Sequence, residues 1–306
     1  MTLTRPSTPS LQLPGPPQEP GRPPIPSRDD SRFAIVVDVV ATISLVCLWV
    51  AAQALVLGGL SESRAQSRSY DELRTELAAA TAPTGGVITP GDPVALLRIP
   101  ALHRDLVVVE GTASGDLLAG PGHRRDTALP GQEGVSLVYG RARTYGAPFA
   151  DVPSLQAGEQ IVARTAQGRA VFTVDDVRRA GDPVPTPPAP GHARLTLVTA
   201  EGAGPLGALA AGHVVYVDAS MAGPAFVAPA GRLPGVPESE RAMGRDIGAL
   251  PLVVVGLFGL IALVVGALLA RTRWPTPLVW LVAAPVVLAL AWSTTDVAVR
   301  LVPNLL

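Results

Sequence analysis

Three long apolar runs constrain this chain more than anything else in it. They cover 39–60, 249–270 and 274–294, and about 20 such residues are what a helix needs to cross the hydrocarbon core of a bilayer. Phe33 to Val37 extend the first run, and Asp38 interrupts it, as an acid at the headgroup level would. The run is too long and starts too far from Met1 for a cleaved signal peptide, so a retained signal anchor is expected. Gly256, Gly259 and Gly266 give the second run a small-residue face. Trp274 and Trp292 stand near the ends of the third, where interfacial aromatics gather.

Between the first and second runs the composition changes, and the chain divides accordingly. Residues 1–32 are a proline-rich tail, too broken by Pro6, Pro14, Pro20 and Pro26 for helix or sheet, and are expected to be disordered. Residues 33–60 form the anchor, and 61–92 a stalk and hinge. In the stalk, Tyr70, Leu73 and Leu77 recur at helical spacing, and Gly85, Gly86, Pro90 and Gly91 then break the chain. Residues 93–222 form a globular domain, 223–248 a Pro/Gly linker, 249–270 and 274–294 two further spans, and 295–306 a short tail in which Asp296 and Arg300 are spaced to pair. Three spans put the ends on opposite sides. The short Arg271–Arg273 loop favours the cytoplasm, which puts the amino-terminal tail inside and the globular domain outside a cell membrane crossed three times.

The globular domain reads as mainly β. Val94–Ile99, Leu106–Val109, Val135–Tyr139, Glu159–Thr165, Arg169–Val177, Arg194–Ala200 and Val214–Ala219 are short strands separated by turn residues, and Leu117–Leu118 sit in a single helical turn. Such spacing fits a sandwich or a closed barrel equally well. All 24 basic residues are arginine and the net charge is −1, so nothing points to nucleic acid. The one cysteine, Cys47, lies inside the first apolar run, which excludes an internal disulfide and a thiolate metal cage. His103 and His192 have no spaced carboxylate or cysteine partner, so no metal and no cofactor is expected.

Several motifs together carry a resemblance. Leu97-Arg98-Ile99-Pro100 and Val107 to Thr112 open the domain, followed by Gly120-Pro121-Gly122-His123 and by Thr127 to Gln132. Thr144-Tyr145-Gly146-Ala147-Pro148-Phe149 and Thr196-Leu197-Val198-Thr199-Ala200 come later. The wording is similar to that of sortases, in particular the actinobacterial, class E-like ones. Sortases are membrane-anchored cysteine transpeptidases of Gram-positive bacteria. The resemblance implies a closed eight-stranded β-barrel outside the membrane, accompanied here by the three transmembrane helices. It also implies partners: sorting-signal peptides, surface or pilus-type proteins, or an active sortase.

The family's chemistry needs a cysteine nucleophile, a histidine acid or base, and an arginine at the oxyanion. On this chain the three positions fall on Ala200, Arg141 and His213. No small shift restores them. No cysteine follows Cys47, no histidine lies between His123 and His192, and no arginine lies between Arg194 and Arg232. The resemblance therefore implies a degenerate, catalytically inactive sortase that binds peptides or scaffolds other proteins at the cell surface. Tyr145, Phe149, Thr199 and Glu201 are the candidate groove residues, and Arg141 is expected to pair with Glu201 across the old cleft. His123 reads as a loop residue. The rival reading is a divergent, cysteine-independent transpeptidase or peptidase working through Thr199, Ser136 and His213.

Overall fold

In the computed structural model, the described residues are 37, 40, 43–202 and 212–306. The proline-rich tail, Asp38 and most of the loop after Glu201 lie outside them. The chain forms two units, Met1–Cys47 and Leu48–Leu306, and the globular domain belongs to the second.

Among the described residues, three helices are long and apolar enough to cross a membrane: α1, Ile43–Ala79; α2, Leu250–Ala270; and α3, Thr276–Val299. The anchor and the stalk are one helix, joined through a π-helical turn at Gln53–Leu57. Polarity changes along this helix but helix propensity does not, because Ser61 to Ala79 is rich in Glu, Arg, Leu and Ala. It ends at Ala80, which adopts a left-handed conformation (φ 55°). Gln66 fastens the polar half to the globular domain. Its amide nitrogen donates to the carbonyls of Val107 (3.0 Å) and Ala119 (2.8 Å), and its oxygen accepts from the Val107 amide (2.8 Å).

The globular domain is a closed barrel of eight strands. They are β1 Pro93–Ile99, β2 Arg104–Glu110, β3 Gly122–His123, β4 Gly134–Tyr139, β5 Gln160–Thr165, β6 Gly168–Arg178, β7 Ala193–Glu201 and β8 His213–Met221. Around the barrel they run β1-β2-β3-β4-β7-β8-β6-β5. Two pairs are parallel, β2 with β3 and β4 with β7, and the others are antiparallel. The strand that alternation alone does not reveal is β3, only two residues long, which closes the gap between β2 and β4.

Side-chain alternation divides β7 between two hydrophobic clusters. Leu195 and Leu197 point into the barrel, among Leu97, Ile161 and Phe172. Val198 and Ala200 point outward, into a second cluster with Leu117, Tyr139, Ala142 and Leu305. This outer cluster is where the sequence-predicted site lies.

Two segments that read as connectors fold back onto the barrel. In the stretch 223–248, the Glu240 carbonyl accepts from the Thr112 hydroxyl (2.6 Å), and the Glu240 carboxylate accepts from Arg125 (Nε at 2.9 Å). In the stretch 295–306, Asp296 and Arg300 do not pair. Arg300 donates to Asp246 (2.6 Å), while Asp296 accepts from Gln53 (3.0 Å) and from the Tyr145 hydroxyl (2.6 Å). One turn of helix does bring residues four apart to the same face, but nearer partners in other segments take both groups.

Candidate functional site

Arg141 follows β4, one residue past Gly140, whose amide continues the sheet by donating to the Val198 carbonyl (2.9 Å). Gly140 is required there by crowding. A Cβ would lie 2.3 Å from Cγ of Phe149. Phe149 is fully buried in the barrel core, and its amide donates to the Arg141 carbonyl (3.1 Å). The Thr144–Phe149 turn is thereby folded back over β4. Tyr145 and Ala147 take left-handed backbone conformations within it (φ 48° and 46°).

The Arg141 side chain is 0% exposed. One terminal nitrogen donates to the Ser114 carbonyl (2.8 Å) and the Ser114 hydroxyl (2.7 Å); the other donates to Thr144 Oγ1 (3.0 Å) and to the Leu306 carbonyl (3.0 Å). Among the described residues no aspartate or glutamate pairs with it. Burial lowers its pKa to about 10. The Tyr145 ring lies 5.6 Å from the guanidinium carbon, and burial pushes the Tyr145 hydroxyl above its ordinary pKa.

The expected ion pair between Arg141 and Glu201 is not formed. Glu201, at the end of β7, is held by Arg179, whose Nε donates at 2.6 Å and whose terminal nitrogen donates at 3.1 Å. Those hydrogen bonds hold the Glu201 carboxyl below the usual carboxylate range. Strand order explains the substitution. Arg178 of β6 faces Tyr216 of β8, and β8 lies beside β7, so the end of β6 delivers Arg179 to Glu201. Both terminal nitrogens of Arg141 are already taken by Ser114, Thr144 and Leu306.

The other candidates separate. Thr199 points into the barrel, on the opposite face from Ala200, and its hydroxyl lies 3.4 Å from the Phe149 carbonyl. His213 is exposed and stands opposite Glu201 in the sheet. Ser136 is buried and pairs with Leu195. Leu195 is five residues from Ala200, which at about 3.3 Å per residue puts Ser136 on the order of 16 Å away along the strands. Among the described residues no hydrogen bond links Thr199 or Ser136 to a basic side chain. Among the described residues, Leu117, Tyr139, Ala142, Val198 and Leu305 form the apolar cluster around Ala200. What it offers is an apolar wall, the aromatic rings of Tyr139 and Tyr216, and the donors of Arg141.

His123 is not a loop residue. It lies in β3, fully buried, with Nδ1 2.8 Å from Glu110 and Nε2 2.8 Å from the Ala128 carbonyl. Arg232, from the returning stretch, donates to the other oxygen of Glu110 (2.5 Å). Sequence reasoning gave no role to Arg179, Arg232, Ser114 or Leu305. The only local signal for any of them is a polar or apolar residue in a stretch that reads as turn or tail.

Comparison with known proteins agrees with the barrel. Residues 97–218 match the family model of the sortase domain. Sortase D of Bacillus subtilis is 29% identical over 84 residues, which are 28% of this chain and 41% of that relative's length. Among solved structures, a sortase E variant from Streptomyces avermitilis is 30% identical and aligns over 50% of this chain and all of its own, with a TM-score of 0.36. The SrtA sortase of Actinomyces oris is 27% identical over 46% of this chain and 85% of its own, with a TM-score of 0.40. The family wording of the strands, the eight-stranded closure and the match over 97–218 converge: the β-barrel of this chain is a sortase domain.

Proposed function

We propose that this chain is a non-catalytic, class E-like sortase held in the cell membrane by three helices, with its barrel outside and its amino-terminal end in the cytoplasm. It binds peptides or scaffolds other proteins at the surface, and its partners are sorting-signal peptides, surface or pilus-type proteins, or an active sortase. One observation carries the reading. The outward face of β7, where the family resemblance puts the nucleophile, presents the methyl group of Ala200 within a closed apolar cluster. Beside it, a buried arginine spends its donors on carbonyl and hydroxyl oxygens. An arginine cannot take up a proton from a nucleophile, and an alanine cannot attack a carbonyl.

The test is a transpeptidation assay. The full chain, in lipid nanodiscs, is incubated with labelled sorting-signal peptides and an amine acceptor. No cleaved or transferred product is expected. Product whose formation is lost in Thr199→Val, Ser136→Ala or His213→Ala would overturn the proposal in favour of a cysteine-independent transpeptidase.

A further inference from the structure

The cleft beside Arg141 and Ala200 is filled, and its occupant is the chain itself. We propose that this cleft is a binding site for a short extended peptide of the type Pro-Asn-Leu-Leu, and that its resident ligand is residues 303–306.

The contacts are those of a recognised peptide rather than of apolar packing alone. Main-chain groups are engaged at three successive residues. The Asn304 amide donates to the Gly244 carbonyl (2.9 Å), and the Leu305 carbonyl accepts from the Ala142 amide (2.9 Å). The Leu306 carbonyl accepts from Arg141 (3.0 Å) and from the Thr144 hydroxyl. Main-chain pairing of this kind supplies affinity, while pockets for individual side chains supply specificity.

Two such pockets exist here. Asn304 is fully buried, and its amide nitrogen donates to the carbonyls of Thr112 (2.7 Å) and Arg241 (2.9 Å). A residue without two donors leaves both carbonyls unanswered. Leu305 is also fully buried, among Leu117, Tyr139, Ala142, Val198 and Ala200. The walls come from parts of the chain far apart in sequence, while the occupant is one continuous stretch. The occupant also satisfies Arg141: a buried guanidinium with no aspartate or glutamate partner needs oxygen acceptors, and Leu306 supplies one (3.0 Å).

The inference fixes the ligand chemistry of the site named under the proposed function. It rests on that reading only in treating the cleft as a peptide site, and its test does not involve turnover. The full chain carrying Cys47→Ala and Ala200→Cys is placed in nanodiscs, and the rate of maleimide labelling at position 200 is measured. With residues 303–306 seated, labelling is slow. Leu305→Arg, which cannot enter the apolar pocket, is expected to speed it by at least about tenfold. Asn304→Ala, a gentler change that leaves the fold intact, is expected to speed it in the same direction. Excess acetyl-Leu-Val-Pro-Asn-Leu-Leu, the sequence of residues 301–306, then returns the opened variants to slow labelling, whereas the same peptide with Asp in place of Asn does not. Fast labelling in the parent, equal rates in parent and both variants, or no protection by the peptide would each overturn the proposal. Absence of transpeptidation, or its presence, would leave these rates unchanged.

Discussion

Gly140→Ala tests whether the turn that carries Tyr145 and Phe149 is seated as described. The added Cβ would stand 2.3, 2.5 and 2.8 Å from Cγ, Cδ2 and Cδ1 of Phe149. Carbon atoms prefer about 3.5 Å or more, so the ring must withdraw by roughly 1.2 Å. It has little room to do so, being fully buried and tied through its own amide to the Arg141 carbonyl. Overpacking of this kind costs about 1–3 kcal/mol, and three simultaneous contacts put Gly140→Ala near the upper half of that range. Hydrogen exchange of the slowest amides in β4 and β7, on the full chain in detergent micelles, reads the cost as an opening free energy. A loss of about 2 kcal/mol corresponds to roughly 30-fold faster exchange. A double-mutant cycle isolates the cause. In a Phe149→Ala background, where Cγ and both Cδ atoms are gone, Gly140→Ala should cost at least about 1 kcal/mol less than in the parent. Unchanged exchange in Gly140→Ala, or an equal effect in both backgrounds, would refute the reasoning.

Two further outcomes concern acids drawn at least partly away from solvent. Asp218 accepts from Arg178 and from the Thr196 hydroxyl (2.7 Å). Asp218→Ala strands the arginine in a mostly buried site and should cost about 3–5 kcal/mol, seen as a large drop in melting temperature, while Asp218→Asn, which keeps an acceptor for Thr196, should lose less. A change in Asp218→Ala no larger than that of an exposed substitution would contradict this account. Asp116 is held by burial at a pKa of about 6, against an ordinary 3.8. Its native form favours the proton, so its contribution to stability is complete below about pH 4 and is lost as pH rises through about 6. Asp116→Asn should flatten that part of a melting-temperature profile, and a slope identical to the parent's would contradict the assignment.

The sequence makes the barrel readable where the physics is local. Alternation in Arg194–Ala200 and Val214–Ala219, with glycine turns between segments such as β5 and β6, locates strands because each side of a pleated strand meets a different environment. It does not reveal β3, since two residues cannot show a period. The family wording supplies the closure that alternation leaves open. The candidate site is legible in part. The positions of Arg141 and Ala200 follow from motif wording, but their neighbours do not, because Arg141 finds Ser114 and Leu306 across 27 and 165 residues of chain. Leu301 to Leu306 read as a tail after a span because they have neither period nor cap. Their structure comes from long-range contacts. The error over Glu201 has the same root. The proximity of positions 141 and 201 is inferred through Ala200, yet adjacent strand residues face opposite sides, so Glu201 turns toward Arg179 instead.

The most direct test of the account is the intact mass of the full chain after prolonged incubation with a sorting-signal peptide, without an acceptor amine, so that any covalent intermediate accumulates. The account predicts no change in mass. A mass increase equal to the acyl fragment of the peptide, removed by hydroxylamine, would show that a nucleophile survives in this chain and would contradict it.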